Sequence, residues 1–263
     1  MPSETSSGRH IEVNGASLYV EEHGEGDALV LVHGGTVSSE SWATLVPLLA
    51  KRFRVIVFDT RGHGRSTNPS GELTYERIAD DTAALIAALG LEKPVVGGWS
   101  DGGQVALELE IRHPGVARAL VAGGVMHNFQ EPEFIGFVKG FFCLDDAGVA
   151  DVENMERQHG DFVGFVRSMH RQSETQWQSV VQQTADMWRA YPTMTPEILA
   201  KVGAPTLVIS GDRDGIVPLD HTIDFYNWLP NAELAILPGL DHMGAIMQPA
   251  MFAEVVADYI ARH

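Results

Sequence analysis

The feature that most constrains this chain is a series of short apolar runs spaced between amphipathic stretches. Residues 28–32, 55–58, 94–97, 119–122, 206–209 and 234–237 are almost unbroken in apolar character. A strand that is apolar on both faces must be covered on both, which parallel strands between layers of helices achieve. The intervening stretches carry a helical period. Across residues 75–89, Ile78, Leu85, Ile86 and Leu89 fall on one face. Thr74 is placed to cap that helix, Leu73 to pack back on Ile78, and Gly90 to close it. Near the end of the chain Phe252, Val255, Val256, Tyr259 and Ile260 form another stripe, with Pro249 in the first turn. At the other end, residues 11–13 and 17–22 flank Asn14-Gly15, which predicts a tight hairpin. The pattern predicts an α/β protein with a mostly parallel sheet of about eight strands flanked by helices.

One region breaks the alternation. Between residues 127 and 196 no strand pattern occurs, and the stretch is rich in Phe, Trp and Met. We expect a core of residues 1–126 and 197–263, with a helical cap of residues 127–196 inserted after the sixth strand. Its aromatic side chains suit a small helical core of its own, and equally a lid whose inner face lines an apolar pocket.

A chain of 263 residues is long enough to bury one sizeable core. Its 35 acidic residues against 18 Lys and Arg give a formal charge of −17, which would repel nucleic acid or an anionic membrane surface. Cys143 is the single cysteine, so neither an intrachain disulfide nor a cysteine-based zinc site is available. Between Phe142 and Leu144 it reads as a buried filler. No apolar signal core occurs in the polar opening residues, and no stretch is of bilayer-spanning length, so a cytoplasmic protein is expected.

Gly98-Trp99-Ser100-Asp101-Gly102 fits the G-x-S-x-G elbow, in which a serine sits on a sharp turn from strand to helix. Residues two before and two after the serine approach closely there, so glycine is required. An apolar run precedes the motif, and a helical pattern with Val105, Leu109 and Arg112 follows it. A serine hydroxyl needs a base to become a nucleophile. The expected order is serine, acid, histidine, with the last two on loops after late strands. The run at 206–209 leads into residues 211–218, which contain Asp212 and Asp214, and the run at 234–237 leads to His242. Both loops leave carboxyl ends of strands, where open parallel sheets place ligands.

With these residues in view, the chain resembles the α/β-hydrolase family over nearly its whole length. His33-Gly34-Gly35 is similar to the family's oxyanion loop, and residues 59–66 are similar to its D-x-R-G-x-G-x-S turn. Residues 211–218 resemble its G-x-x-D-x-x-V-P acid loop, which puts the acid on Asp214 and leaves Asp212 to brace the loop. Some relatives carry the acid after the sixth strand, but residues 123–126 hold no carboxylate. A serine at the elbow separates the chain from dehalogenases and epoxide hydrolases, which have aspartate there. No Gly-Pro pattern follows His33-Gly34, unlike prolyl iminopeptidases and meta-cleavage hydrolases. The elbow itself is shared with small esterases similar to valacyclovir hydrolase.

The resemblance implies Ser100 as nucleophile, His242 as base and Asp214 as the group orienting it. The backbone N–H groups of Gly35 and Asp101 would form the oxyanion hole, with Thr36 as a further candidate. Thr36, Trp99, Met126, Val217 and Met243 are expected to bind substrate. The Asp101 side chain either caps its helix or attracts a substrate amine. His33, His63, His113 and His221 lie outside the loop after the last strand, and His63 and Arg61 are expected to stabilise their turn. No metal spacing occurs and no cofactor is implied. The expected activity is hydrolysis of a small or medium apolar carboxylic ester or lactone through an acyl-enzyme. Cofactor-free perhydrolysis of the haloperoxidase kind is one alternative, and a slow-turnover ligand-binding receptor another. Oligomeric state is not legible in the sequence.

Overall fold

The computed structural model describes residues 8–244 and 248–263. The chain opens with β1 (Arg9–Val13) paired antiparallel to β2 (Ala16–His23). Asn14 and Gly15 take φ of 47° and 75° at the turn, which matches the twist of the two strands. β2 pairs antiparallel with β4 (Arg54–Phe58). The other neighbours, β3 (Ala28–Val32), β5 (Val95–Trp99), β6 (Ala119–Gly123), β7 (Thr206–Gly211) and β8 (Ala232–Leu237), continue in parallel register. The order β1-β2-β4-β3-β5-β6-β7-β8 makes one mostly parallel sheet of eight strands. Winding reverses between β3 and β5, and such a switch point leaves a crevice at the carboxyl ends of the strands.

The unbroken apolar runs sort by the two-residue strand period into two layers. Val30, Val32, Ile56, Phe58, Val96 and Leu120 face α2 (Tyr75–Ala88) and α3 (Asp101–Arg112) in one buried cluster. Leu29, Leu31, Val55, Val57, Val95 and Val121 face the opposite layer, with α1 (Val46–Leu49) and the helix Pro249–Arg262. Each such side chain contributes roughly 1.5–3 kcal/mol by leaving water. Thr74 caps α2 by accepting from the Arg77 N–H at 3.1 Å, and Gly90 closes it at φ 63°. No described helix is long and apolar enough to cross a membrane.

Between β6 and β7 run α4 (Pro132–Phe141), α5 (Val152–Gln158), α6 (Gly160–Ser168) and α7 (Glu174–Ala190), followed by the one-turn α8 (Pro196–Leu199). The buried side chains of this segment are continuous with those of the sheet's helices. Phe134, Val138, Met155, Val163 and Trp177 join the same buried cluster as α2 and α3. The helices also pack on one another, α5 on α6 and α4 on α7. Cys143 is half-buried rather than buried, in a left-handed turn at φ 50° just after α4. Phe162 and Phe165 are partly exposed on α6.

Candidate active site

The turn from β5 into α3 holds Ser100 at φ 56° and ψ −122°, a conformation that costs a non-glycine residue about 1–3 kcal/mol. Crowding explains the glycines around it. A Cβ on Gly98 would lie 2.3 Å from the Val32 carbonyl oxygen, and one on Gly102 would lie 1.9 Å from the same atom. The strain is held by the sheet, since the Ser100 N–H donates to the Gly123 carbonyl at 2.7 Å.

His242 reaches the same crevice from the loop after β8. Its Nδ1 lies 2.7 Å from Asp214 Oδ2, and the Asp214 side chain is almost wholly buried. The other carboxylate oxygen of Asp214 accepts the N–H groups of Ile216 at 2.9 Å and Val217 at 2.8 Å. With Oδ1 so occupied, Oδ2 is presented to the imidazole, so Nδ1 carries the proton and Nε2 keeps its lone pair. Asp212, expected to brace its own loop, instead reaches across to the Gly239 N–H at 2.5 Å. Within its own loop, the backbone N–H groups of Ile216 and Val217 fall to Asp214. Trp99 has a role the sequence did not suggest: its Nε1 donates to the His242 carbonyl at 2.7 Å and ties the histidine loop to the strand bearing the elbow.

The loop after β3 is held by imidazole. His33 Nδ1 lies 2.7 Å from the Gly34 carbonyl, and its Nε2 accepts the Thr60 N–H at 3.0 Å. The Gly34 carbonyl and the Gly35 N–H belong to one planar peptide, so fixing one aims the other. Burial above all pushes the His33 pKa down to about 4, which keeps the ring neutral, as this pairing requires. Thr36 follows at φ 58° with its hydroxyl on the Gly35 carbonyl at 2.7 Å. Arg61, as expected, stabilises its turn: it forks onto Asp81 at 2.6 and 2.7 Å in a fully buried pair.

The Asp101 side chain, in the first turn of α3, has two partners that neither expectation included. It accepts the Tyr75 hydroxyl at 2.6 Å and the Trp188 Nε1 at 2.9 and 3.0 Å, a core donor and a cap donor meeting on one buried carboxylate. Burial chiefly raises its pKa to about 6, against the lowering effect of those two hydrogen bonds. Tyr75 was not expected at the site, and Trp188 only as one of the aromatics of the cap. They lie 26 and 87 positions away from Asp101, and nothing local pairs either with it.

Ser100, Asp101, His242 and Gly35 share one cavity of about 290 Å³ with Thr36, Trp99, Met126, Val217 and Met243. Asp214 stands behind the histidine. The outer wall is aromatic and comes from the 127–196 segment and its start: Phe129, Phe134, Phe137, Phe141, Phe162 and Trp188. Among the described residues no group of three or more His, Cys, Asp or Glu is arranged to hold a metal ion.

A family model described as the alpha/beta hydrolase family matches residues 29–257. The chain is 30% identical to a 2-hydroxymuconate semialdehyde hydrolase of Pseudomonas sp. (strain CF600), over 97% of this chain and 94% of that one. It is 29% identical to a non-heme haloperoxidase of Rhodococcus erythropolis, over 92% and 93% of the two chains. Among solved structures, a thermophilic esterase from Thermogutta terrifontis superposes with a TM-score of 0.79 at 24% identity, covering 98% of this chain and 99% of that one. A strand–elbow–helix serine, a late acid–histidine pair and a family match across most of the sequence lead to one conclusion: the chain belongs to the α/β-hydrolase family.

Proposed function

We propose that this hydrolase cleaves a small or medium apolar carboxylic ester or lactone through an acyl-enzyme on Ser100. The observation that carries the reading is the 2.7 Å His242–Asp214 pair opening onto the same aromatic cavity as Ser100. His242 Nε2 takes the hydroxyl proton as Ser100 Oγ attacks the carbonyl carbon. The Gly35 and Asp101 N–H groups carry the oxyanion, each donor contributing about 10²–10³ in rate. Collapse breaks the ester C–O bond, and the leaving alkoxide takes the proton from His242 to depart as alcohol. Water then attacks the acyl carbon, gives its proton to His242, and the acid leaves as Ser100 recovers that proton. Asp214 stabilises the imidazolium in both steps without itself being protonated. Apolar walls of Phe and Trp suit an uncharged acyl chain of modest length.

A second reading has an observation of its own, the 29% identity to a haloperoxidase over nearly the whole chain. Hydrogen peroxide would replace water on the same acyl-enzyme and release a peracid. The test is a panel of p-nitrophenyl esters and lactones of graded acyl size, run with wild type and Ser100→Ala, with and without peroxide. Turnover lost in Ser100→Ala supports the hydrolase, and peracid outpacing free acid favours the second reading. Turnover that survives Ser100→Ala sinks both. No turnover by folded wild type moves the chain to the ligand-binding class.

A further inference from the structure

We infer that His170, in the cap segment between α6 and α7, is a positioning residue that holds the oxyanion turn, so that the turn's geometry depends on a seated cap. The inference rests on the hydrolase reading above. His170 Nε2 lies 2.7 Å from the Thr36 carbonyl, and its Nδ1 accepts the Gly64 N–H at 3.1 Å. An N–H donor on Nδ1 leaves the ring proton on Nε2, so the imidazole donates to Thr36. The ring is wedged between His63 and Trp177, with centroids 5.9 and 5.1 Å away. Burial lowers its pKa, which keeps it in the neutral form that both contacts need.

Thr36 needs such support. It is β-branched and sits at φ 58°, where only a fixed environment keeps a residue of that shape. His33 holds the turn on the Gly34 carbonyl and His170 on the Thr36 carbonyl, so the Gly35 peptide is gripped from both sides. The surrounding cap segment is fastened to the same part of the core. The Arg171 N–H donates to the Gly64 carbonyl at 3.2 Å, Gln176 Nε2 to the Gly62 carbonyl at 3.1 Å, and the Arg171 guanidinium reaches Glu40 at 3.0 Å. A cap lifted on this side would take the Nε2–H from Thr36, and the turn would lose one of its two grips.

The test compares His170→Phe, which keeps a ring but no hydrogen bond, with His170→Gln, whose Nε2 can stand in for the imidazole donor. With a p-nitrophenyl ester, His170→Phe should lose about 10–100-fold in kcat with KM within roughly threefold, the pattern of a donor that acts in the transition state. Affinity for a trifluoromethyl ketone, which forms a tetrahedral adduct, should fall in proportion to kcat. His170→Gln should recover most of both losses. Hydrogen exchange at the Gly35 amide should also quicken in His170→Phe and return towards wild type in His170→Gln. That readout needs no turnover, so it tests the positioning role even if the hydrolase reading fails. Unchanged Gly35 exchange in folded His170→Phe would overturn the inference, as would wild-type kcat or a Gln variant no better than Phe.

Discussion

Replacing Gly35 with alanine tests the oxyanion turn by crowding alone. Gly35 does not occupy the left-handed region, so alanine meets no conformational penalty there and only space matters. The added Cβ would lie 2.5 Å from Asp101 Oδ2 and 2.6 Å from Trp188 Cζ2, roughly 1 Å inside van der Waals contact. Neither wall yields easily. Asp101 is held by Tyr75 and Trp188, and Trp188 is backed by Phe134 and Phe142 at ring separations of 5.9 and 5.2 Å. Overpacking of this kind costs about 1–3 kcal/mol, or roughly 2–10 °C in Tm for a domain of this size. If the turn moves instead of the walls, the Gly35 N–H leaves its place and kcat falls about 100-fold. The assay pairs differential scanning calorimetry with steady-state ester hydrolysis. The expected result is a modest drop in Tm with a far larger fall in kcat and little change in KM. A lowered Tm with wild-type kcat would refute the placing of the oxyanion at this turn.

Other outcomes follow from single contacts. Asp214→Asn keeps an acceptor for Ile216 and Val217 but presents an amide to His242, so kcat should drop about 10³–10⁴-fold with Tm little changed; a loss under tenfold in ester assays would contradict the orienting role. Asp81→Ala strands the buried Arg61 charge and should cost about 3–5 kcal/mol in urea unfolding, and a loss near zero would contradict it. Asp101 binds its proton more tightly folded than unfolded, because its pKa is raised to about 6 from 3.8. Its contribution is therefore full below about pH 4 and lost as pH rises to about 6, a swing of about 3 kcal/mol. The Tm advantage of Asp101→Asn over wild type should grow across that window, with the buried histidines cancelling in the difference; a flat difference would show that the carboxylate is not desolvated.

Elements set by local pattern were legible in the sequence. Strand runs, the Asn14-Gly15 hairpin, the Thr74 cap and the crowded elbow glycines each follow from periodicity or backbone demand over a few residues. What escaped depends on contacts between distant segments. Asp101 meets Tyr75 and Trp188, and His170 meets Thr36 across 134 positions. No periodic signal announces such a meeting, because the partners come from segments that only the tertiary fold brings together. The aromatic run at 127–196 was readable as lid or as core. The structure joins its buried side chains to the main cluster, and Phe129, Phe134 and Trp188 among them also line the cavity. The acid-loop resemblance distinguished Asp214 from Asp212 in the sequence, and the loop after β8 gives His242 to the first and Gly239 to the second.

The most direct measurement of the central claim is covalent labelling by a fluorophosphonate, read by intact mass and peptide mapping. An activated Ser100 predicts one adduct per chain, located on that residue and absent from Ser100→Ala. Labelling should slow by orders of magnitude in His242→Ala. A folded protein that takes up no label, or carries it on another residue, would contradict the account.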